Sequence, residues 1–319
     1  MISVRGAVQA IVGIAISVIA IAIVLGSVDL AKTADVLRQT TPGWVVIAIG
    51  FLTIDVLLRA VRWQRLLAPV AWVPYRRILR YVLIGYLANN VLPARLGELV
   101  RSHFLGDREG ISRTTTLGTV VVERVIDTTM VVAIAAVAIL VLNVRGVITN
   151  VVTIGAAVVA ILVVGLAVGV AAHRLPGAEA VAARAARWPR VGDVVTKLRS
   201  GLAVAGRPRT LAEALAISAL AWIASLLAFA AVGQAVGLEL RVAEAALLAS
   251  SVALASAIPS GPGYLGTFEL AAVKVAEAIG LPSDPAFATA LLVHASILVL
   301  TSLGGIVALA TLGRRLRVD

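Results

Sequence analysis

The sequence has no cysteine, only three histidines, and charge on just 14% of its 319 residues. Lacking cysteine, it has no disulfide, thiol nucleophile or thiolate metal site. His103, His173 and His294 lie far apart, without metal-ligand spacing, so no metal and no zinc or haem chemistry is expected. A soluble chain is about a quarter charged, so the scarcity of charge here excludes an ordinary soluble globule. What fills the chain instead is apolar: 60% hydrophobic residues and a mean hydropathy of +1.01. That is the composition of a multi-pass membrane protein. The net charge of +11 finds no soluble domain on which to form a nucleic-acid face. It is read as loop charge that sets orientation and meets anionic headgroups.

Apolar runs long enough to span lie near 7–26, 43–58, 117–142, 148–172, 211–237 and 286–312. The first follows Arg5 and is longer than a signal-peptide core, so it is read as a retained helix. Basic residues concentrate in 59–80, which holds six arginines and no acid, and in 173–210, which holds eight Lys/Arg against Glu179 and Asp193. The positive-inside rule places these segments and both termini in the cytoplasm, in a plasma-membrane protein. Parity then fails unless the two regions between spans, 78–105 and 243–281, each enter and leave on one side. Tyr81 to Leu92 makes only about 18 Å of helix against a core of about 30 Å. A re-entrant hairpin with its tip at "NNVLP" satisfies both counts. The second region breaks at "IPSGPGYLG", residues 258–266, and is expected as two half-helices, with two full spans as the alternative.

Both breaks read Pro-x-x-Leu-Gly followed by a glutamate: Pro93 to Glu98, and Pro262 to Glu269. The hairpins open to opposite sides, as in an inverted-topology repeat with units near 43–142 and 211–312, a connector span at 148–172 and a basic loop at 173–210. The expected fold class is thus all-α: a single polytopic membrane domain with about six full spans and two broken or re-entrant hairpins. Pro93 and Pro262 suit a first helical position, Asn90 and Ser260 sit where a cap could lie, and Gly261, Gly263 and Gly266 allow tight turning. Two half-helix N-termini facing a cavity would suit an anion such as phosphate.

Charges within the spans point the same way. "VVVERVID" places Glu123 and Asp127 on one helix face beside Arg124. These are expected either to hold Arg101 or Arg95 in an ion network that pins the hairpin, or to line a path. "LLRAVRWQRLL" carries Arg59, Arg62 and Trp63 as interface anchors or lipid-phosphate contacts. His294 lies inside the last span, as a packing residue or a proton relay. No nucleophile, base and orienter set appears, so the chain is not read as an enzyme.

Four motifs, in order, carry a family resemblance: "RAVRWQRLL", "GYLANNVLPARLGELVR", "VVERVID" and "PSGPGYLGTFE". Together they resemble the lysylphosphatidylglycerol synthase/flippase transmembrane region, the membrane half of the multiple peptide resistance factor. The pattern falls on Asn90, Pro93, Arg95, Gly97, Glu98 and Arg101, on Glu123, Arg124 and Asp127, and on Pro259, Pro262, Gly263, Gly266 and Glu269. The resemblance implies a membrane phospholipid or other phosphate-bearing lipid as partner, moved between leaflets without a cofactor. Aminoacyl-lipid synthesis belongs to a further soluble domain of full-length members and is not implied. His294 departs from an arginine common in the family's last helices, which leaves the headgroup type open. With Asn89, Ser260 and His294 these residues form the expected translocation site; Arg59, Arg62 and Trp63 are weaker headgroup contacts. Two other readings stand: a non-catalytic subunit or scaffold partnering a lipid or lipid-linked glycan synthesis enzyme, and an ion-coupled solute transporter with Glu98, Asp127, Glu269 and His294 as relay.

Overall fold

The computed structural model describes residues 4–92, 96–171, 189–258 and 260–314, and among them there are twelve α-helices and no strand. Helix α1 (Val4–Ser27) turns by 84° into α2 (Leu30–Arg38), whose start is capped by Asp29 Oδ1 accepting from the Ala31 and Lys32 N–H groups. Helix α3 (Pro42–Leu67) begins on a proline and runs 26 residues, about 39 Å, enough to cross a core of about 30 Å. It continues well past residue 58, so Arg59, Arg62 and Arg65 are the last turns of a span rather than a loop.

Next come two short helices, α4 (Tyr75–Val91) and α5 (Gly97–Glu109). At 17 and 13 residues they reach about 26 and 20 Å, less than a bilayer core. They form a closed hairpin: Glu109, at the end of α5, accepts from Tyr81 OH at 2.7 Å and from Arg77 Nη1 at 3.0 Å, both near the start of α4. At its tip the limbs touch backbone to backbone. A Cβ on Gly97 would overlap the Gly85 carbonyl and the Asn89 amide, which only glycine avoids.

Helix α6 (Arg113–Leu142) is a 30-residue span starting beside that hairpin's open end, where Arg113 Nη2 and Nε meet Asp107 of α5. The Arg113 guanidinium holds the exposed Asp107 carboxyl below its ordinary value. Helix α7 (Val147–Ala171) lies at the periphery, and α8 (Pro189–Leu202) packs on α6 through Gly118 and Gly201. Helix α9 (Pro208–Ala235) is the next span. The second hairpin follows: α10 (Val242–Ala255) and α11 (Thr267–Ala278), 14 and 12 residues, then α12 (Ser283–Arg314). The open end of this hairpin, Arg241 with Ala278 to Gly280, lies against Leu142 to Arg145 at the far end of α6. The two hairpins therefore open at opposite ends of one long span, with limbs too short for the alternative of two full spans.

Packing is reciprocal. Helices α3 and α9 run along each other in the centre, α4 lies on α12, and α10 lies on α6, so each hairpin seats on the last span of the other half. Glycines set the first of these contacts: Gly304 and Gly305 of α12 meet Leu83 and Leu87 of α4. Leu52, Val132, Phe229, Val232, Leu247 and Leu248 fill the centre, and Trp63, Tyr81, Ile84 and Leu105 fill a second cluster under the first hairpin. Ile11, Val46, Leu140, Ile161 and Leu303 face outward, as in a multi-pass membrane protein whose outer surface meets hydrocarbon.

Candidate functional site

Four arginines and four carboxylates meet where α3, α5, α6 and α9 converge. Arg62, only 1% exposed, donates from Nη1 to Asp127 Oδ1 at 2.5 Å and to Ser218 Oγ at 2.9 Å. Its Nη2 donates to Asp127 Oδ2 at 2.9 Å and to Glu123 Oε1 at 3.1 Å. Arg101 reaches Glu123 Oε2 at 2.8 Å and stacks 4.5 Å over Trp63. Arg59 grips both Asp55 oxygens at 2.9 Å, lies 3.3 Å from Asp127, and sits 5.3 Å over Trp222. Arg124 lies between Glu123 (3.2 Å), Asp127 (3.3 Å) and Glu98 (3.8 Å). Four positive and four negative groups balance to zero, the condition under which a buried ionic cluster is tolerated in hydrocarbon.

This network forms one wall of a cavity of about 320 Å³ between the two hairpins. Asp55, Arg59, Glu98, Arg124 and Asp127 face it from the first half; Trp222, Phe229, Phe268 and His294 face it from the second. The hairpin tips contribute Asn89, Asn90 and Tyr264. Arg124 is the cation least committed to the network. Its side chain is 40% exposed, against 15% or less for the other three, and its nearest carboxylate oxygen lies at 3.2 Å, where each of the others has one within 2.9 Å. Opposite, the Trp222 indole N–H is buried without a partner. A charged and hydrogen-bonding wall facing an aromatic one, inside an apolar bundle, suits an amphiphile's polar head.

The sequence matches the family described as Lysylphosphatidylglycerol synthase TM region over residues 10–305. The chain belongs to that family. Its curated relatives include Glycosyltransferase AglD of Haloferax volcanii, 26% identical over 93% of this chain and 53% of that protein. The UPF0104 membrane protein of Methanocaldococcus jannaschii is 30% identical over 35% of this chain and 34% of its own length. A UPF0104 membrane protein of Methanothermobacter thermautotrophicus is 28% identical over 39% and 36% respectively. The matches thus span between a third and about half of these relatives.

Within this Lysylphosphatidylglycerol synthase TM region chain, Asn89, Asn90, Glu98, Arg124, Asp127 and His294 of the residues expected at the site line the cavity. Pro93, Arg95 and Pro259 lie outside the described residues. Glu123 and Arg101 stand behind the wall, with Arg101 rather than solvent holding Glu123. Arg62 and Trp63 are neither interface anchors nor exposed headgroup contacts: both are fully buried, because α3 carries them into the bundle. Caps also differ. Asn89, not Asn90, caps the second limb, accepting the Gly97 N–H at 2.7 Å; Asn90 instead donates to Thr301 and Ser302 of α12. Pro262 opens a single 3-10 turn, and α11 starts later, with Glu269 accepting the Gly266 N–H at 2.7 Å. At each half-helix start one N–H is thus taken by the protein's own Asn89 or Glu269 rather than left for an anion. Ser260 is buried with no hydrogen-bond partner for its hydroxyl. Asp55, Tyr86, Trp222 and Phe268 were missed; Asp55 had a signal, an isolated acid four residues before an arginine within an apolar run.

Proposed function

We propose that the protein moves a phosphate-bearing lipid between leaflets, the headgroup passing through the cavity between the two hairpins while the acyl chains stay in the bilayer. The observation that carries this is Arg124, a loosely paired cation facing an amphipathic cavity at the meeting point of two oppositely opening broken helices. Such breaks are tolerated at membrane depth where they line a cavity, and opposed pairs of them mark transport sites. The reciprocal packing of α4 on α12 and α10 on α6 supports reading residues 43–142 and 211–312 as an inverted repeat. Arg124 would exchange Glu98 for a phosphate oxygen, while Trp222 offers its N–H. Here the chain acts as a carrier rather than an enzyme, with the 173–210 side cytoplasmic. The test is leaflet exchange of fluorescent phosphatidylglycerol, phosphatidylethanolamine and a polyprenyl phosphate in proteoliposomes; acceleration of at least one is expected, and none with any of them refutes the reading.

A second reading rests on Glycosyltransferase AglD, which the chain matches over nearly its whole length while covering only half of that protein. There the membrane unit would serve lipid-linked glycan synthesis as a partner to an enzyme. Co-purification with a glycosyltransferase, with exchange absent from the liposomes, would favour it.

A further inference from the structure

A carbonyl oxygen only accepts, so His294 Nε2, 2.7 Å from the Gly263 oxygen, must carry a proton. The other ring nitrogen, Nδ1, lies 2.5 Å from Glu269 Oε1. One further proton belongs between those two atoms, on Nδ1 facing a carboxylate or on Oε1 facing a neutral ring. Without it, two lone pairs face each other. The second oxygen of Glu269 accepts the Gly266 N–H. A single proton therefore ties together both ends of the turn from 263 to 266.

That turn is the break of the second hairpin, and it is held against its own preference. Gly263, Tyr264 and Gly266 have φ of 66°, 60° and 86°, and a tyrosine keeps such a conformation only when its surroundings enforce it. It is also a junction. Ser17 of α1 accepts the Gly261 N–H at 2.9 Å, and Gly263 lies against the Asn90 carbonyl of the first hairpin. His294 stacks 4.3 Å from Phe268, and both rings form cavity wall.

We infer that His294 and Glu269 form a one-proton site that couples headgroup passage to proton binding; this rests on the function proposed above. Loss of the proton sets Nδ1 against the carboxylate, releases the clamp on Gly263 and Gly266, and lets the break move relative to the first hairpin. Facing the pair across the cavity are Asp55 and Arg59 of α3, Tyr86 of α4, Glu98 of α5, and Arg124 and Asp127 of α6, with Tyr264 in the turn itself. Lys274 and Glu277, further along α11, bond each other, and α2 meets α12 near Asp284, ten residues from His294. The three acids that line the cavity, Asp55, Glu98 and Asp127, each have an arginine partner, whereas Glu269, reached through the cavity-lining His294, has the histidine; that pair is where a proton, rather than a fixed cation, balances the charge.

The test uses the full chain in proteoliposomes with fluorescent phosphatidylglycerol, at matched internal and external pH across the range 5.5 to 8.5 and then under a pH gradient. One proton allows a rate change of at most about ten-fold per pH unit; a pH-dependent rate within that limit is expected in wild type, with about two-fold or less remaining in Glu269→Gln and His294→Gln. Glu269→Gln keeps an acceptor for the Gly266 N–H, so it separates proton loss from loss of the cap. A flat wild-type profile, or variants that keep its slope, overturns the inference. If no lipid is exchanged at any pH, the transport reading fails on its own. The proton site is then decided by hydrogen exchange of the 258–269 peptide, corrected for intrinsic rate. A pH-dependent loss of protection in wild type but not in Glu269→Gln is expected; equal protection at both pH extremes overturns it.

Discussion

Replacing Arg62 with methionine tests the ionic cluster at its most connected member. Arg62 makes four hydrogen bonds, two to Asp127 and one each to Glu123 and Ser218, joining α3, α6 and α9 from a fully buried position. Methionine fills much of the volume but removes one positive charge, taking the cluster from zero to one net negative. Breaking a buried pair in this way costs about 3–5 kcal/mol, because the partner carboxylate is left uncompensated. Adding Asp127→Asn restores the balance, so the double variant should regain stability, with a coupling on the order of 1–3 kcal/mol. The control is Ser218→Ala, which removes one neutral acceptor and should cost only about 1 kcal/mol. Reversible unfolding in mixed micelles, followed by tryptophan fluorescence, reads wild type, the Arg62→Met and Asp127→Asn single variants, their double variant and Ser218→Ala. An Arg62→Met variant within about 1 kcal/mol of wild type, or two single costs that simply add, would refute charge balance as what holds the three helices together.

Other predictions follow from the same geometry. Arg124→Gln should lower lipid exchange about ten-fold or more while costing under about 1 kcal/mol of stability, since its side chain is 40% exposed and loosely paired; equal loss of both would assign it a purely structural role. Gly97→Ala should cost about 1–3 kcal/mol by forcing the two limbs of the first hairpin apart, and the measurement is hydrogen exchange in residues 97–101, where unchanged protection would count against the close contact. Asn89→Ala should cost about 0.5–2 kcal/mol through the lost cap, with Asn89→Ser recovering part of it. Because the chain lacks cysteine, single cysteines at Arg77 and Arg241 give a clean topology readout. A membrane-impermeant maleimide should label them from opposite sides, and labelling from one side would contradict the opposed openings.

Much of the fold was legible in the sequence because hydrocarbon imposes length and charge rules on a chain. Basic clusters at 59–80 and 173–210 left a parity that only same-side hairpins satisfy, and the Pro/Gly breaks showed where their tips fall. Hydropathy misled at α3, where a run of arginines reads as a loop whether it faces water or a buried acid. Only contact with Asp127 and Glu123, more than sixty residues away, tells the two apart. The same limit hid the pairing of His294 with Glu269, which depends on how α11 seats against α12. Asn89 and Asn90 are adjacent in sequence, and a 100° step around the helix sends one to Gly97 and the other to α12. Trp222 and Phe268 carried no local mark at all: an aromatic in an apolar run is indistinguishable from packing until the opposite wall is known.

If the cavity between the hairpins is the path of the headgroup, blocking it must stop lipid exchange. Ser225 lines that cavity from α9 and, in a chain without cysteine, Ser225→Cys offers one thiol there. Leaflet exchange is measured in proteoliposomes before and after that thiol is coupled to a bulky charged reagent. Exchange is expected near wild type before labelling and near the protein-free rate after it, restored when a reducible adduct is cleaved. Labelled protein that exchanges lipid as fast as unlabelled protein would contradict that path.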